Sequence, residues 1–278
     1  QQPPDIPEAY RGTLQQGDYS GSANGVTAAL NPGFVRNYTS LSLKEIAALA
    51  QRESAIAIDP QSGEPQVLIY HTHATESYEP YDTDVYDTRN TWRSLDDSEN
   101  MVAVGDVLAA ALEDQGIRVI HDATQHDYPS YNGGYERSAK TVQQYLEEYP
   151  SIQVVLDVHR DAIQPEEGVI SKPVVEIEGK KAAQLMIISG VDDGTLGMPN
   201  WQENFAFAAG VTRAIENRYP GLCRPIFFAN RKYNQDLSTG ALLFEFGSNA
   251  NTLEEAKYSA QLVGEALGEY LIALAAGN

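Results

Sequence analysis

The strongest constraint on the fold is a rhythm that sets in at Gln66. Short apolar, β-branched runs alternate with longer stretches whose apolar residues recur every three to four positions. Strand-like runs lie at 67–71, 117–120, 152–158, 226–228 and 241–246, and helical stretches at about 98–114, 135–149 and 201–218. In 98–114, Val104, Val107, Leu108, Ala111 and Leu112 make a single stripe. Gly116 closes that helix and Pro150 stops the next. A final helix opens with a capping box, Thr252 and Glu255, and turns Ala260, Val263, Leu267, Tyr270, Leu271 and Leu274 inward. Strands alternating with amphipathic helices predict a three-layer α/β domain, a mostly parallel twisted sheet flanked by helices. Segments 174–177 and 185–188, joined across Gly179, read as an added hairpin.

The N-terminal side is different. Residues 1–38 are rich in Pro, Gly, Ser and Asn without sustained periodicity, which reads as an extended arm. Ser42 and Glu45 fit a capping box, with Leu41 and Ile46 as its hydrophobic staple, and 55–59 reads as a brief strand. The expected division is an arm with one short helix over 1–62 and a catalytic domain over 63–278. The formal charge of −20, from 39 acidic against 19 basic residues, repels phosphate backbones and argues against nucleic acid. Cys223, the single cysteine, sits between two prolines with no histidine nearby and reads as a packing residue. No apolar run approaches the ~20 residues that cross a bilayer. The chain opens Gln-Gln-Pro-Pro and not with methionine, so it reads as processed or trimmed, any anchor lying outside it.

Two of the strand-like runs end abruptly in histidine and carboxylate: Val67-Leu-Ile-Tyr-His-Thr-His-Ala-Thr-Glu-Ser-Tyr78 and Val154-Val-Leu-Asp-Val-His-Arg-Asp161. Ligands of open α/β sheets bind where strands end, because loops leave the packed layer there. His73 and His159 are the candidate metal ligands, and imidazole with carboxylate is the donor set of a catalytic zinc. Glu76 is a candidate third ligand, competing with Asp96, Asp97 and Glu99 before the first long helix. His71 would share a face with His73 if the strand persisted, and so either ligates or orients a ligand. Asp157 alternates onto the face of His159 and is placed to hold its ring. Arg160 and Asp161 offer each other an ion pair. His121 and His126 line the cleft or cap a strand end. Tyr128, Tyr131, Tyr135 and Trp201 offer aromatic faces, with core packing the plainer role for each.

Glu245 lies in Leu242-Leu-Phe-Glu-Phe-Gly-Ser-Asn249, an apolar strand that does not ordinarily carry an unpaired charge. It is either a general base or the partner of a buried arginine, Arg160 or Arg137. Together these residues point to a zinc-dependent amide hydrolase. The Asp-x-His and His-x-His pieces are shared with dinuclear metallophosphoesterases, but in that family they come in the reverse order along the chain.

Three blocks carry a family resemblance: Ile69-Tyr-His-Thr-His-Ala-Thr-Glu-Ser-Tyr78, Leu156-Asp-Val-His-Arg-Asp-Ala162 and Phe244-Glu-Phe-Gly-Ser-Asn-Ala-Asn-Thr-Leu-Glu-Glu-Ala256. With Asn100-Met-Val-Ala-Val-Gly-Asp106, Tyr131-Asn-Gly-Gly-Tyr-Glu-Arg-Ser138, Asn200-Trp-Gln-Glu-Asn204 and Tyr233-Asn-Gln235, they make the chain resemble stage II sporulation protein P over about 30–275. That family is related to zinc-dependent N-acetylmuramoyl-L-alanine amidases. The resemblance implies a peptidoglycan hydrolase of the engulfment machinery in endospore formation, cutting the amide between muramic acid and the stem peptide, and also a peptide cross-link. It implies zinc on His73 and His159, Glu245 as the catalytic glutamate, an upstream membrane anchor outside the cytoplasm, and a lytic transglycosylase partner. His71 and Arg160, beside the ligands, are the residues expected to hold substrate. The alternative is a wall-binding or scaffold protein that keeps the fold without turnover.

Overall fold

A computed structural model describes residues 5–277. In chain order its elements are β1 (Arg11–Gly17), β2 (Thr27–Ala29), β3 (Phe34–Asn37), α1 (Leu43–Leu49), β4 (Val67–Tyr70), β5 (Val85–Asp87), α2 (Met101–Glu113) and β6 (Val119–His121). There follow α3 (Gly134–Glu148), β7 (Val154–Asp161), β8 (Val169–Ile177), β9 (Lys180–Ala183), β10 (Leu185–Gly190), α4 (Trp201–Arg218), β11 (Ile226–Ala229), β12 (Ala241–Ser248) and α5 (Leu253–Ala276). Eight strands build the main sheet in the order β2-β3-β11-β10-β12-β7-β4-β6. The β2–β3 and β10–β12 pairs are antiparallel and the others parallel. The mostly parallel α/β sheet expected from the rhythm is therefore present.

Strand alternation sends side chains to two faces, and each face has its own core. On one, Ile69, Val158 and Phe244 pack against Leu108 of α2, Phe205 of α4 and Val263 of α5. On the other, Tyr70 and Val155 meet Val142 of α3. Farther across that second face, Met186, Ile188 and Leu243 form a small separate cluster with the partly buried Phe227 and Tyr233. The helices start where their caps dictate. Asn100 accepts from the Val102 N–H to begin α2, three residues after the expected start, and the two capping boxes at Ser42/Glu45 and Thr252/Glu255 both form. Gly133, at φ 81°, turns the chain into α3 in a conformation that favours glycine.

Three expectations are corrected. Over its described residues, 5–38, the expected arm is built into the sheets: β2 and β3 extend the main sheet, and β1 lies between β5 and β8 in a second sheet of order β5-β1-β8-β9. The polar composition of β1 hides it, because only Gly12 and Leu14 in the strand are buried and pairing comes from its neighbours. Residues 55–59 form no strand, although Ile56 and Ile58 are buried. The hairpin across Gly179 joins β8 to β9; segment 185–188 belongs to β10, seated in the main sheet between β11 and β12.

Candidate metal centre

β4 and β7 are hydrogen-bonded parallel neighbours, so their carboxyl ends open side by side. The chain leaves β4 after Tyr70 and folds at once into a tight turn. Asp157 fixes this turn: its Oδ1 accepts from the Thr72 N–H at 2.8 Å and its Oδ2 from the Thr72 hydroxyl at 2.7 Å. Thr72 Oγ1 also meets Ser138 Oγ at 2.7 Å, tying the turn to α3.

This geometry gathers His73, Glu76 and His159, whose ligating atoms all lie within 4.8 Å of one another. All three are buried, at 7%, 7% and 3% exposure. His159 Nδ1 is 3.7 Å from Glu76 Oε2. Two donors each ~2.1 Å from one ion at the tetrahedral angle lie about 3.4 Å apart, so this pair is close to coordinating separation. Two imidazoles and a carboxylate are a donor set that fits zinc.

The charges around the donors favour a cation. Burial raises the Glu76 carboxyl, but the Arg160 guanidinium and His159 overcome it and hold the group down at about 2. Burial and neighbouring His159 lower His73 to about 4, so its ring is neutral and available as a ligand at pH 7. Burial also works against charging His159, yet Asp157 and Glu76 overcome it and raise the imidazole well above its ordinary value. A proton or a metal ion satisfies the same pair of carboxylates. His159 Nε2 lies 2.7 Å from Asp157 Oδ1 but lacks the alignment of a hydrogen bond, so the carboxylate acts on it chiefly as a charge. Aromatic rings pack around the imidazoles. Tyr131 stacks on His73 at 4.3 Å, and Tyr135 meets His73 edge-on at 5.5 Å.

Glu245 sits on β12 as the direct register partner of His159 on β7, and paired residues share a face. Neither arginine offered to it is there. Arg160 donates to the carbonyls of Ser77 and Trp92, while Arg137 donates to those of His126, Asn132 and Ser130. The Glu245 residue is half-buried, yet its Oε2 is sealed from solvent and has no hydrogen-bond partner. Burial first, then the negative charge of Asp161, push its carboxyl up to about 8 against the opposing pull of His159.

Other sequence candidates lie elsewhere. Asp96 accepts from Ser98, Asp97 from Asn100 and Gln125, and the exposed Glu99 from Ser94; none joins the cluster. His71 is fully buried, with Nδ1 on the Val158 carbonyl at 2.8 Å and Nε2 on His121 Nε2 at 2.8 Å. It lies outside the cluster of His73, Glu76 and His159, because β4 ends before it and its ring turns into the core. Arg160 is 7% exposed and engaged with loop carbonyls, so it steadies the loop and Glu76, and it lines a cavity together with Glu76 and Tyr131. Asp161 pairs with Arg224 at 2.9 Å, not with Arg160. His126 is buried against Thr141, Trp201 packs on Phe228, and Tyr128 is exposed. Cys223 is buried and free.

Arg93 also borders the cluster. It lies 3.6 Å from Glu76 Oε1, pairs with Asp127 at 2.8 Å, and covers the Tyr131 ring. In the sequence it is one basic residue in a long polar loop, with no periodicity to mark it.

The sequence model of a family described as stage II sporulation protein P matches residues 27–268. Stage II sporulation protein P of Bacillus subtilis strain 168 is 31% identical over 217 residues, covering 73% of this chain and 50% of that protein. The chain thus spans about half the length of that curated relative. Among solved structures, N-acetylmuramoyl-L-alanine amidase AmiC2 of Nostoc punctiforme aligns with a TM-score of 0.42 at 13% identity, over 76% of this chain and 97% of that one. The CwlD amidase of Clostridioides difficile, in complex with the GerS lipoprotein, aligns with a TM-score of 0.42 at 9% identity, over 75% of this chain and 99% of that one.

Proposed function

This chain belongs to the stage II sporulation protein P family, and from that premise we propose that it is a peptidoglycan hydrolase acting as a zinc-dependent N-acetylmuramoyl-L-alanine amidase. Its substrate is the amide between N-acetylmuramic acid and the L-alanine of the stem peptide, with a peptide cross-link as second target, during engulfment in endospore formation. The observation that supports this most is the gathering of two buried imidazoles and a buried carboxylate within 4.8 Å. A carboxyl without a partner stands on the adjacent strand.

His73, Glu76 and His159 would hold the zinc, which supplies Lewis acidity toward a carbonyl and makes a water a better nucleophile. The chain's own residues do the rest. Asp157 holds the Thr72 turn and sets the charge of His159. Glu245 takes a proton from the attacking water and passes it to the leaving nitrogen as the C–N bond breaks. The products are a carboxylate on the sugar's lactyl arm and a peptide with a free L-alanine amino terminus. A group raised to about 8 by burial is poised for such a transfer, since it both accepts and releases protons near neutrality. A cation in the neighbouring site shifts it toward the ionised form.

The same reading puts the full-length protein outside the cytoplasm on a membrane anchor, beside a lytic transglycosylase. Digestion of purified peptidoglycan with zinc-loaded protein tests it. New L-alanine amino termini are expected, and are to vanish in Glu245→Gln. Folded, zinc-loaded protein that binds wall and releases none would instead support a non-catalytic scaffold.

A further inference from the structure

We infer that a groove running from Glu245 across the second face of the main sheet receives the peptide arm of the substrate, with Arg36 at its far end pairing the peptide's terminal carboxylate. This rests on the amidase reading above. Strand register sets the path: Glu245 pairs with Met186, Ile188 with Phe227, and Phe227 with Arg36. Paired residues share a face, and every second residue of a strand returns to it, so these five side chains project the same way. All five line one cavity of about 530 Å³.

Length and direction both suit a stem peptide. The path crosses three strand spacings and advances two residues, about 16 Å in all, which roughly five extended residues span. The leaving nitrogen takes its proton from Glu245, so the peptide attached to it begins at the Glu245 end. Met186, Ile188 and Phe227 give that stretch an apolar floor suited to alanyl methyl groups.

Charge picks out the far end. Two other acids of the groove are already engaged: Asp161 pairs with Arg224 at 2.9 Å, and Asp18 accepts from Ser20 and Gln184. Among the described residues no carboxylate pairs with Arg36, whose guanidinium lies 5.4 Å over the half-exposed Tyr38 ring. An unpaired guanidinium about five residues from the scissile nitrogen matches the carboxyl end of a tetra- or pentapeptide.

The test is calorimetric titration of the whole chain with L-alanyl-γ-D-glutamyl-diaminoacyl-D-alanine, as the free acid and as its C-terminal amide. A charge-assisted hydrogen bond predicts that the acid binds about tenfold or more tighter than the amide. Arg36→Ala is expected to remove that preference and leave amide affinity unchanged, and Arg36→Glu to reverse it. Absence of peptide binding, or an Arg36→Ala protein that still prefers the acid, overturns the assignment. So does displacement of the peptide by a peptide-free glycan. Failure of the amidase reading shows separately, as absence of L-alanine amino termini from wall digested by the same preparation.

Discussion

Replacing Glu245 by glutamine keeps the shape of a side chain whose Oε2 is buried without a hydrogen-bond partner, and removes its ability to ionise. In metal-free protein this makes a sharp prediction about stability. The folded carboxyl is raised from 4.5 to about 8, chiefly by burial, so ionising it costs more in the folded chain than in the unfolded one. The penalty is absent below about pH 4.5, where both states hold the proton, grows as pH rises, and levels off above about pH 8. At ~1.4 kcal/mol per unit the rise sets a ceiling of about 5 kcal/mol, about 4 of it reached by pH 8, and water reaching the half-buried residue brings the working figure to about 2 kcal/mol. Glutamine carries no such penalty. Urea unfolding of chelator-stripped protein should therefore show wild type and Glu245→Gln within ~1 kcal/mol at about pH 5, and the variant about 2 kcal/mol more stable at about pH 8. With zinc restored, the same variant should lose roughly 10²–10⁴-fold in turnover. Were Glu245 instead half of a buried ion pair, the variant would be weaker at pH 8 by roughly 3–5 kcal/mol. That result, or identical pH profiles, refutes the reasoning.

Three further outcomes follow from the geometry around the donors. Asp157→Asn removes the charge beside His159 and should weaken zinc binding about 10–100-fold in a competitive chelator titration, with the fold intact by circular dichroism. Gly105→Ala drives a methyl group into the facing ring nitrogens of His71 and His121, and should cost about 1–3 kcal/mol in chemical unfolding. Arg160→Ala frees the carbonyls of Ser77 and Trp92 and leaves Glu76 with Arg93 as its guanidinium neighbour. It should lower stability by roughly 2–4 kcal/mol and speed protease cleavage within 79–100; an unchanged cleavage rate would show that the loop does not depend on it.

Much of the main sheet was legible because its strands are buried on both faces and so read as apolar runs. β4 and β7 show this best, and their polar ends marked His73, Glu76 and His159 for the same reason. The edge and accessory strands were not legible. β1 reads Arg-Gly-Thr-Leu-Gln-Gln-Gly, and its pairing with β8 is a tertiary fact that no local pattern carries. His71 was misplaced by one structural event: β4 ends at Tyr70, so the alternation that would have set it beside His73 stops before either residue. Glu245 was found through its apolar setting, whereas its adjacency to His159 depends on β12 lying next to β7, a strand order that the sequence does not state. Arg93 and Arg36 are not legible in the sequence, because a lone exposed arginine carries no periodicity.

Elemental analysis of the purified chain, wild type beside His159→Ala, tests the central claim most directly. About one equivalent of zinc per chain is expected in the wild type, resistant to dialysis and removed by a strong chelator. His159→Ala should be folded and zinc-free, while Glu245→Gln keeps its metal. A folded wild type that takes up no zinc, or a His159→Ala protein that holds it as tightly as the wild type, contradicts the account.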